Sequence, residues 1–158
     1  MKPRVYTDTS VIGGCLDPEF QVSSTQLFQL FTLGHAIMVI SDLTLLELQE
    51  APHPVRAVIA GVPAAHREDL ELTQEATDLA RRYIQEGVLD ASKWVDSQHI
   101  ALATVSRVDV LVSWNFKHIV NLQRIRGYNS VNLKAGYPLL EIRTPQEVIF
   151  HGNPEQAL

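Results

Sequence analysis

The chain is predicted to adopt an α/β fold in which a largely parallel sheet is covered by helices on both faces. Three observations lead there. Short apolar runs such as Ala36–Ile40 and Asp109–Ser113 have the unbroken character of strands buried on both sides. They alternate with stretches whose apolar residues recur at helical spacing. Polar residues gather where the runs end, at Asp8 and at Trp114–Ile119, and the carboxyl ends of strands are where open α/β sheets bind ligands.

In chain order, Arg4–Asp8 reads as a first strand that stops at a turn over Thr9–Gly14, where two glycines permit tight geometry. Ser23-Ser24 offers a cap for a helix with Leu27, Leu30 and Phe31 inside, closed by Gly34. Ala36–Ile40 is the second strand. Ser41 or Asp42 caps the next helix, in which Leu43, Leu46 and Leu45 point to the core and Glu47 lies in the second turn. Pro52 and Pro54 interrupt it. A short helix over 54–61 and a brief strand over Leu70–Leu72 follow. Thr73 opens a helix carrying Ala76, Leu79, Ala80, Tyr83 and Ile84, and Gly87 closes it. Asp96, His99, Ile100 and Ala103 then share one side of a helix that ends near Arg107. After the strand Asp109–Ser113, Phe116–Arg126 reads as a helix, Gly127–Asn132 as a loop and Leu139–Ile142 as a last strand. Thr144-Pro145 starts a final helix.

At 158 residues the chain is sized for a single domain, enough to bury about 70% of its unfolded surface. That domain is expected over 1–150, with a frayed tail over 151–158. With 46% hydrophobic and 20% charged residues the composition excludes a disordered or fibrous chain. No apolar run approaches the ~20 residues of a membrane span, and MKPRVYTDTS lacks a signal-peptide core. Cys15 is the only cysteine, so one chain can form neither a disulfide nor a thiolate zinc site. A cytoplasmic protein with no membrane partner is the expectation. The net charge of −5 argues against a general nucleic-acid coat. Yet residues 1–106 carry 7 Lys/Arg against 14 Asp/Glu, whereas 107–143 carry 6 against 2. The basic segment could steer a polyanion toward the site, or could equally pair with the acidic part of the protein.

The motifs of dinucleotide, P-loop, zincin and serine-hydrolase proteins are absent. What remains is a set of acidic residues near strand ends and helix starts: Asp8, Glu47 and Asp96, with Asn115 as a neutral oxygen donor. Two unit charges at ~4 Å repel by about 4 kcal/mol at an effective dielectric near 20. Three converging carboxylates therefore call for protonation or a shared cation. Mg²⁺ and Mn²⁺ prefer such hard oxygen donors, can activate water, and can stabilise charge on a phosphate. Phosphodiester hydrolysis is the fitting reaction. Each residue also has a plainer explanation. Asp8 suits a turn or helix cap, Glu47 a surface helix position, Asp96 a first helical turn, and Asn115 the cap of the segment from Phe116. His99 suits a packed helix histidine, and Trp114 suits packing better than base stacking.

Three fragments carry a resemblance to a known family: YTDTSVIGG at the first strand, ISDLTLLEL at the second strand and its helix, and DSQHIALA followed by VDVLVSWNFKHI. In this order and spacing the chain resembles PIN-domain proteins, especially VapC-type toxins of bacterial toxin–antitoxin pairs, from Val5 to about Val148. The resemblance implies a three-layer α/β/α sandwich with an acidic pocket for Mg²⁺ or Mn²⁺. It implies ribonuclease activity on single-stranded RNA, a homodimer, and a cognate antitoxin as partner. The family's acidic positions fall on Asp8, Glu47 and Asp96, which would hold the metal, and the fourth falls on Asn115 in place of an aspartate. Thr9, Ser10, His99 and Ser113 then support those residues or touch substrate, and Lys117 and His118 are candidates for phosphate contact. The leading expectation is a metal-dependent endoribonuclease, with the toxin of a toxin–antitoxin pair as its narrower form. Because Asn115 lacks a charge, the alternative is a weakened or inactive PIN-like module that binds RNA or protein. An aspartyl-phosphate enzyme using Asp8 is a third reading.

Overall fold

A computed structural model describes residues 1–152, with side chains through residue 149. Among the described residues, five strands make one sheet: β1 (Arg4–Thr7), β2 (Ile37–Ser41), β3 (Arg67–Leu70), β4 (Val110–Val112) and β5 (Ile142–Arg143). Their spatial order is β3-β2-β1-β4-β5 and every neighbouring pair is parallel. The helices are α1 (Thr9–Gly14), α2 (Gln21–Leu33), α3 (Asp42–Gln49), α4 (His53–Ala60), α5 (Gln74–Gln85), α6 (Trp94–Val105), α7 (Leu122–Lys134) and α8 (Pro145–Gly152).

The period-2 alternation of side chains divides the strands between two cores. Tyr6, Val39, Leu111 and Ile142 face one layer, where they meet Leu79, Tyr83, Ile100, Tyr128 and Val131 of α5, α6 and α7. Val5, Met38, Ile40 and Val112 face the other, against Ile12, Leu27, Phe31 and Ile59 of α1, α2 and α4. The predicted α/β/α sandwich is therefore present. The winding of the sheet reverses between β1 and β4, so the crevice at their carboxyl ends is its topological switch point, the place where open parallel sheets hold ligands.

Several elements differ from the sequence-based expectation. Thr9–Gly14 is a short helix, not a turn, which makes Asp8 the residue that precedes its first turn. Helix α2 starts at Gln21, so Ser23 and Ser24 lie inside it and cap nothing. In α3, Leu45 and Leu46 are exposed and Leu48 takes the core position beside Leu43. The strand expected over Leu70–Leu72 is β3 at Arg67–Leu70, and the last strand is Ile142–Arg143. Phe116–Val120 forms turns, and α7 begins only where the Asn121 side chain accepts the backbone N–H of Arg124 at 3.2 Å. The stretch expected as a loop, Gly127–Asn132, is therefore helical. Gly127 is there for close approach: a Cβ would lie 2.8 Å from Val88 Cγ1. Helix α6 is buried all round from Ser97 to Thr104, where one inward face was expected. Of the expected tail, residues 151–152 close α8 and 153–158 lie outside the described residues.

Candidate active site

Asp8 follows β1 and is buried. Its backbone N–H donates to Val112 O at 3.1 Å, extending the β1–β4 ladder one residue to the strand tips. Its Oδ2 accepts two hydroxyls, Ser10 Oγ at 2.6 Å and Ser113 Oγ at 2.9 Å. One hydroxyl comes from α1 and the other from the end of β4, so the tips of β1 and β4 are hydrogen-bonded to each other at Asp8. Ser113 Oγ also accepts the backbone N–H of Asn115 at 2.9 Å, which leaves the hydroxyl proton free to point at Asp8.

Glu47 approaches from α3 with 37% of its side chain exposed. Its Oε1 accepts Thr9 Oγ1 at 3.0 Å and lies 2.6 Å from His99 Nε2. His99 on α6 is completely buried, and its Nδ1 lies 2.7 Å from the Tyr6 hydroxyl, which lies 2.8 Å from Ser41 Oγ. Burial alone would push the His99 pKa down. The hydrogen bond to Glu47 and the charges of Asp8, Glu47 and Asp96 outweigh it and raise the pKa above its ordinary 6.5. Burial would likewise raise Glu47, but His99 and Thr9 hold it below its ordinary 4.5. Both shifts favour an ion pair, with imidazolium Nε2–H donating to Glu47, Nδ1–H donating to Tyr6, and the Tyr6 hydroxyl donating to Ser41.

Asp96 lies in the first turn of α6, and no donor reaches its carboxylate among the described residues. Burial and then the charge of Asp8 push its pKa above the ordinary 3.8; Glu47 adds to this, while His99 and Lys93 oppose it. Asp96 therefore stands near enough to Asp8 and Glu47 to feel both charges. The three carboxylates do not close into a ligand set: among the described residues no group of three or more His, Cys, Asp or Glu stands close enough to hold a metal ion. The donor chemistry nevertheless suits a hard divalent cation. It offers carboxylate oxygens without thiolate, and Asp96 lacks the positive partner that Glu47 has in His99.

The structure turns Asn115 away from this role. Its Oδ1 accepts the backbone N–H groups of Lys117 at 3.2 Å and His118 at 3.0 Å, which is the capping arrangement. Lys117 is exposed and His118 half-buried, one turn from the Ser113 hydroxyl. Sequence reasoning missed Tyr6, Ser41 and Lys93. Tyr6 had a usable signal, since residues 6 and 8 of one strand share a face. Lys93 had one too, since it stands three residues before Asp96 at the start of the same helix.

The fold and this switch-point site together define a three-layer α/β/α protein with an acidic rim at the ends of its first and fourth strands. No protein-family model matches the sequence, and no curated protein matches it. Solved structures do. VapBC2 from Rickettsia felis, solved bound to a DNA fragment from its promoter, is 15% identical and aligns over 89% of this chain and 98% of that one, with a TM-score of 0.57. VapC20 from Mycobacterium tuberculosis, a sarcin–ricin loop cleaving toxin, is 12% identical over 86% and 98%, with a TM-score of 0.50. The chain thus has a VapC-like PIN-domain fold, and identities this low speak to the fold alone. No helix among the described residues is long and apolar enough to cross a membrane.

Proposed function

We propose that this protein is a divalent-metal-dependent endoribonuclease of the VapC toxin type, paired with an antitoxin. The observation that carries the reading is the set of Asp8, Glu47 and Asp96 around the switch point. Asp96 feels the charges of Asp8 and Glu47, and Asp8 is oriented by two hydroxyls, which supports the reading. Asp8, Asp96 and Glu47 would hold Mg²⁺ or Mn²⁺. When bound, the metal would supply a water of lowered pKa and a counter-charge for the phosphate. The chain's own residues do the rest. Ser10 and Ser113 fix the rotamer of Asp8, Thr9 and His99 fix Glu47, and Lys93 and Lys117 draw the RNA backbone toward the rim. The fold likeness to VapC toxins supports the toxin assignment, and the antitoxin and a homodimer follow from it as part of the same proposal.

The test is cleavage of a mixed single-stranded and structured RNA pool by wild type and by Asp8→Asn, in Mn²⁺, Mg²⁺ and chelator. Cutting by wild type alone, and only with metal, is the expected result. Metal-dependent cutting that survives Asp8→Asn would overturn the assignment. A second reading, a PIN-like binding module without catalysis, is favoured by one specific observation: Glu47 is paired with His99 and the Asn115 oxygen is spent on its own turn. Calorimetry with Mn²⁺ separates the two, since a binding module gives no heat of metal binding that Asp8→Asn removes.

A further inference from the structure

Beside the carboxylates stands an aromatic surface that metal chemistry does not use. Trp114 and Phe116 come from the segment after β4, and Phe20 from the turn before α2. Phe20 and Trp114 stack with ring centroids 4.4 Å apart and planes 18° apart. Phe116 lies 6.1 Å from Trp114 and 6.4 Å from Phe20, tilted by 50° and 43°. Trp114 is held firmly. Its indole N–H donates to Ser24 Oγ at 2.9 Å. Its backbone N–H donates to Ser10 Oγ at 3.0 Å, the same hydroxyl that donates to Asp8. Gly14 makes the room, since a Cβ there would lie 2.5 Å from Ser24 Oγ and 2.9 Å from Trp114 Nε1. On this fixed pair rests Phe116, 52% exposed.

Phe116 presents a half-exposed ring that continues the Trp114–Phe20 stack toward solvent. It suits an occupant that is itself flat. Charge points to the same occupant. Lys117 is exposed and adjacent to Phe116. Lys93, Lys117 and Arg124 stand close enough to His118 for their charges, after burial, to depress its pKa. Cations beside an aromatic face are how single-stranded nucleic acid is held without sequence preference.

We propose that Phe116, backed by the Trp114–Phe20 stack, is the platform for one unpaired nucleobase of a single-stranded RNA, next to the phosphate that reaches Asp8. The position of that phosphate rests on the nuclease reading; the stacking does not. The platform selects unpaired strand over duplex, because only an unpaired base can offer its face.

The test is fluorescence anisotropy in chelator, so that no RNA is cut. The probes are a short labelled single-stranded RNA, the same RNA with one abasic site moved along it, and a duplex of the same sequence. Phe116→Ala should weaken single-strand binding about tenfold, Phe116→Tyr should restore it, and duplex binding should not change. One abasic position should cost wild type a similar factor and cost Phe116→Ala nothing further. Equal affinities for wild type and Phe116→Ala, or an abasic loss that adds to the mutant's, would overturn the proposal. So would absence of RNA binding by wild type, or a Phe116→Ala variant that loses self-association while keeping RNA affinity. The two readings separate on adding Mn²⁺. Base-dependent binding without cleavage keeps the platform and removes the nuclease. Cleavage and binding indifferent to Phe116→Ala do the reverse.

Discussion

Asp8 and Glu47 sit on the same rim and are both held by hydrogen bonds, yet by opposite means. Asp8 is oriented by two neutral hydroxyls, so its negative charge is left for something outside the chain. Glu47 is met by the buried His99 ring, whose pKa it helps to raise, so its charge is answered from within. The contrast is that Asp8 meets only neutral donors, whereas Glu47 is tied to the core through His99. Substitution at the first should act on function and at the second on the fold.

The largest expected effect follows at Asp8. Asp8→Asn keeps an oxygen to accept Ser10 and Ser113, so unfolding in urea should change little while metal-dependent cleavage falls to background. A large stability loss instead would erase the contrast. Next in size is His99→Gln, which disturbs the bonds to both Glu47 and Tyr6. Leaving a buried polar group unpaired costs about 1–3 kcal/mol, measurable by urea denaturation at neutral pH.

The same pair predicts a pH dependence in chelator. A histidine whose folded pKa exceeds its unfolded 6.5 contributes stability that is complete below pH 6.5 and lost as pH rises through the folded value. Glu47, lowered from 4.5, contributes stability present above pH 4.5 and lost as pH falls through its folded value. Stability from the pair is thus greatest between those two pH values, and the decline above 6.5 should vanish in His99→Gln. A decline that persists in the variant would place its source elsewhere.

Smaller again is the double change Ser10→Ala with Ser113→Ala, which unfastens Asp8 without removing charge. Mn²⁺ affinity by calorimetry should fall about tenfold. The smallest effect belongs to Asn115→Asp. Aspartate caps as well as asparagine, so stability should shift by less than about 0.5 kcal/mol, while the added charge tightens Mn²⁺ binding. Loss of folding would mean that the amide nitrogen of Asn115 has a partner of its own.

Much of this was legible from residues alone. The unbroken apolar runs of β1 and β4 and the helical spacing from Asp96 to Ala103 placed three elements, and the two strands end in groups that build the site. The errors fell where composition and packing disagree. Gly127, Asn129, Ser130 and Asn132 look like a loop, but Gly127 is needed for contact with Val88 and Asn132 is buried against Tyr83, its Oδ1 accepting the phenol hydrogen at 2.5 Å. Glycines at 13 and 14 suggested a turn, whereas Gly14 clears space for Trp114 within a helix. Within the site, Asp8, Glu47 and Asp96 were findable as acids near strand ends. His99 was named and Tyr6 had a signal, but their hydrogen bonding to each other and to Ser41 was not legible, because it links three elements whose relative placement is decided by the core.

The complete burial of Ser97–Thr104 has a mechanical consequence. The amide hydrogens of α6 should exchange with solvent only when the whole molecule unfolds. Helix α3 shows solvent to Leu45, Leu46 and Glu47, and its amides have shorter routes to opening. His99, within that stretch, therefore sits on the stationary side of the site. If the proposed cation binds, the movement that brings Glu47 off His99 and onto it falls to α3, the compliant side.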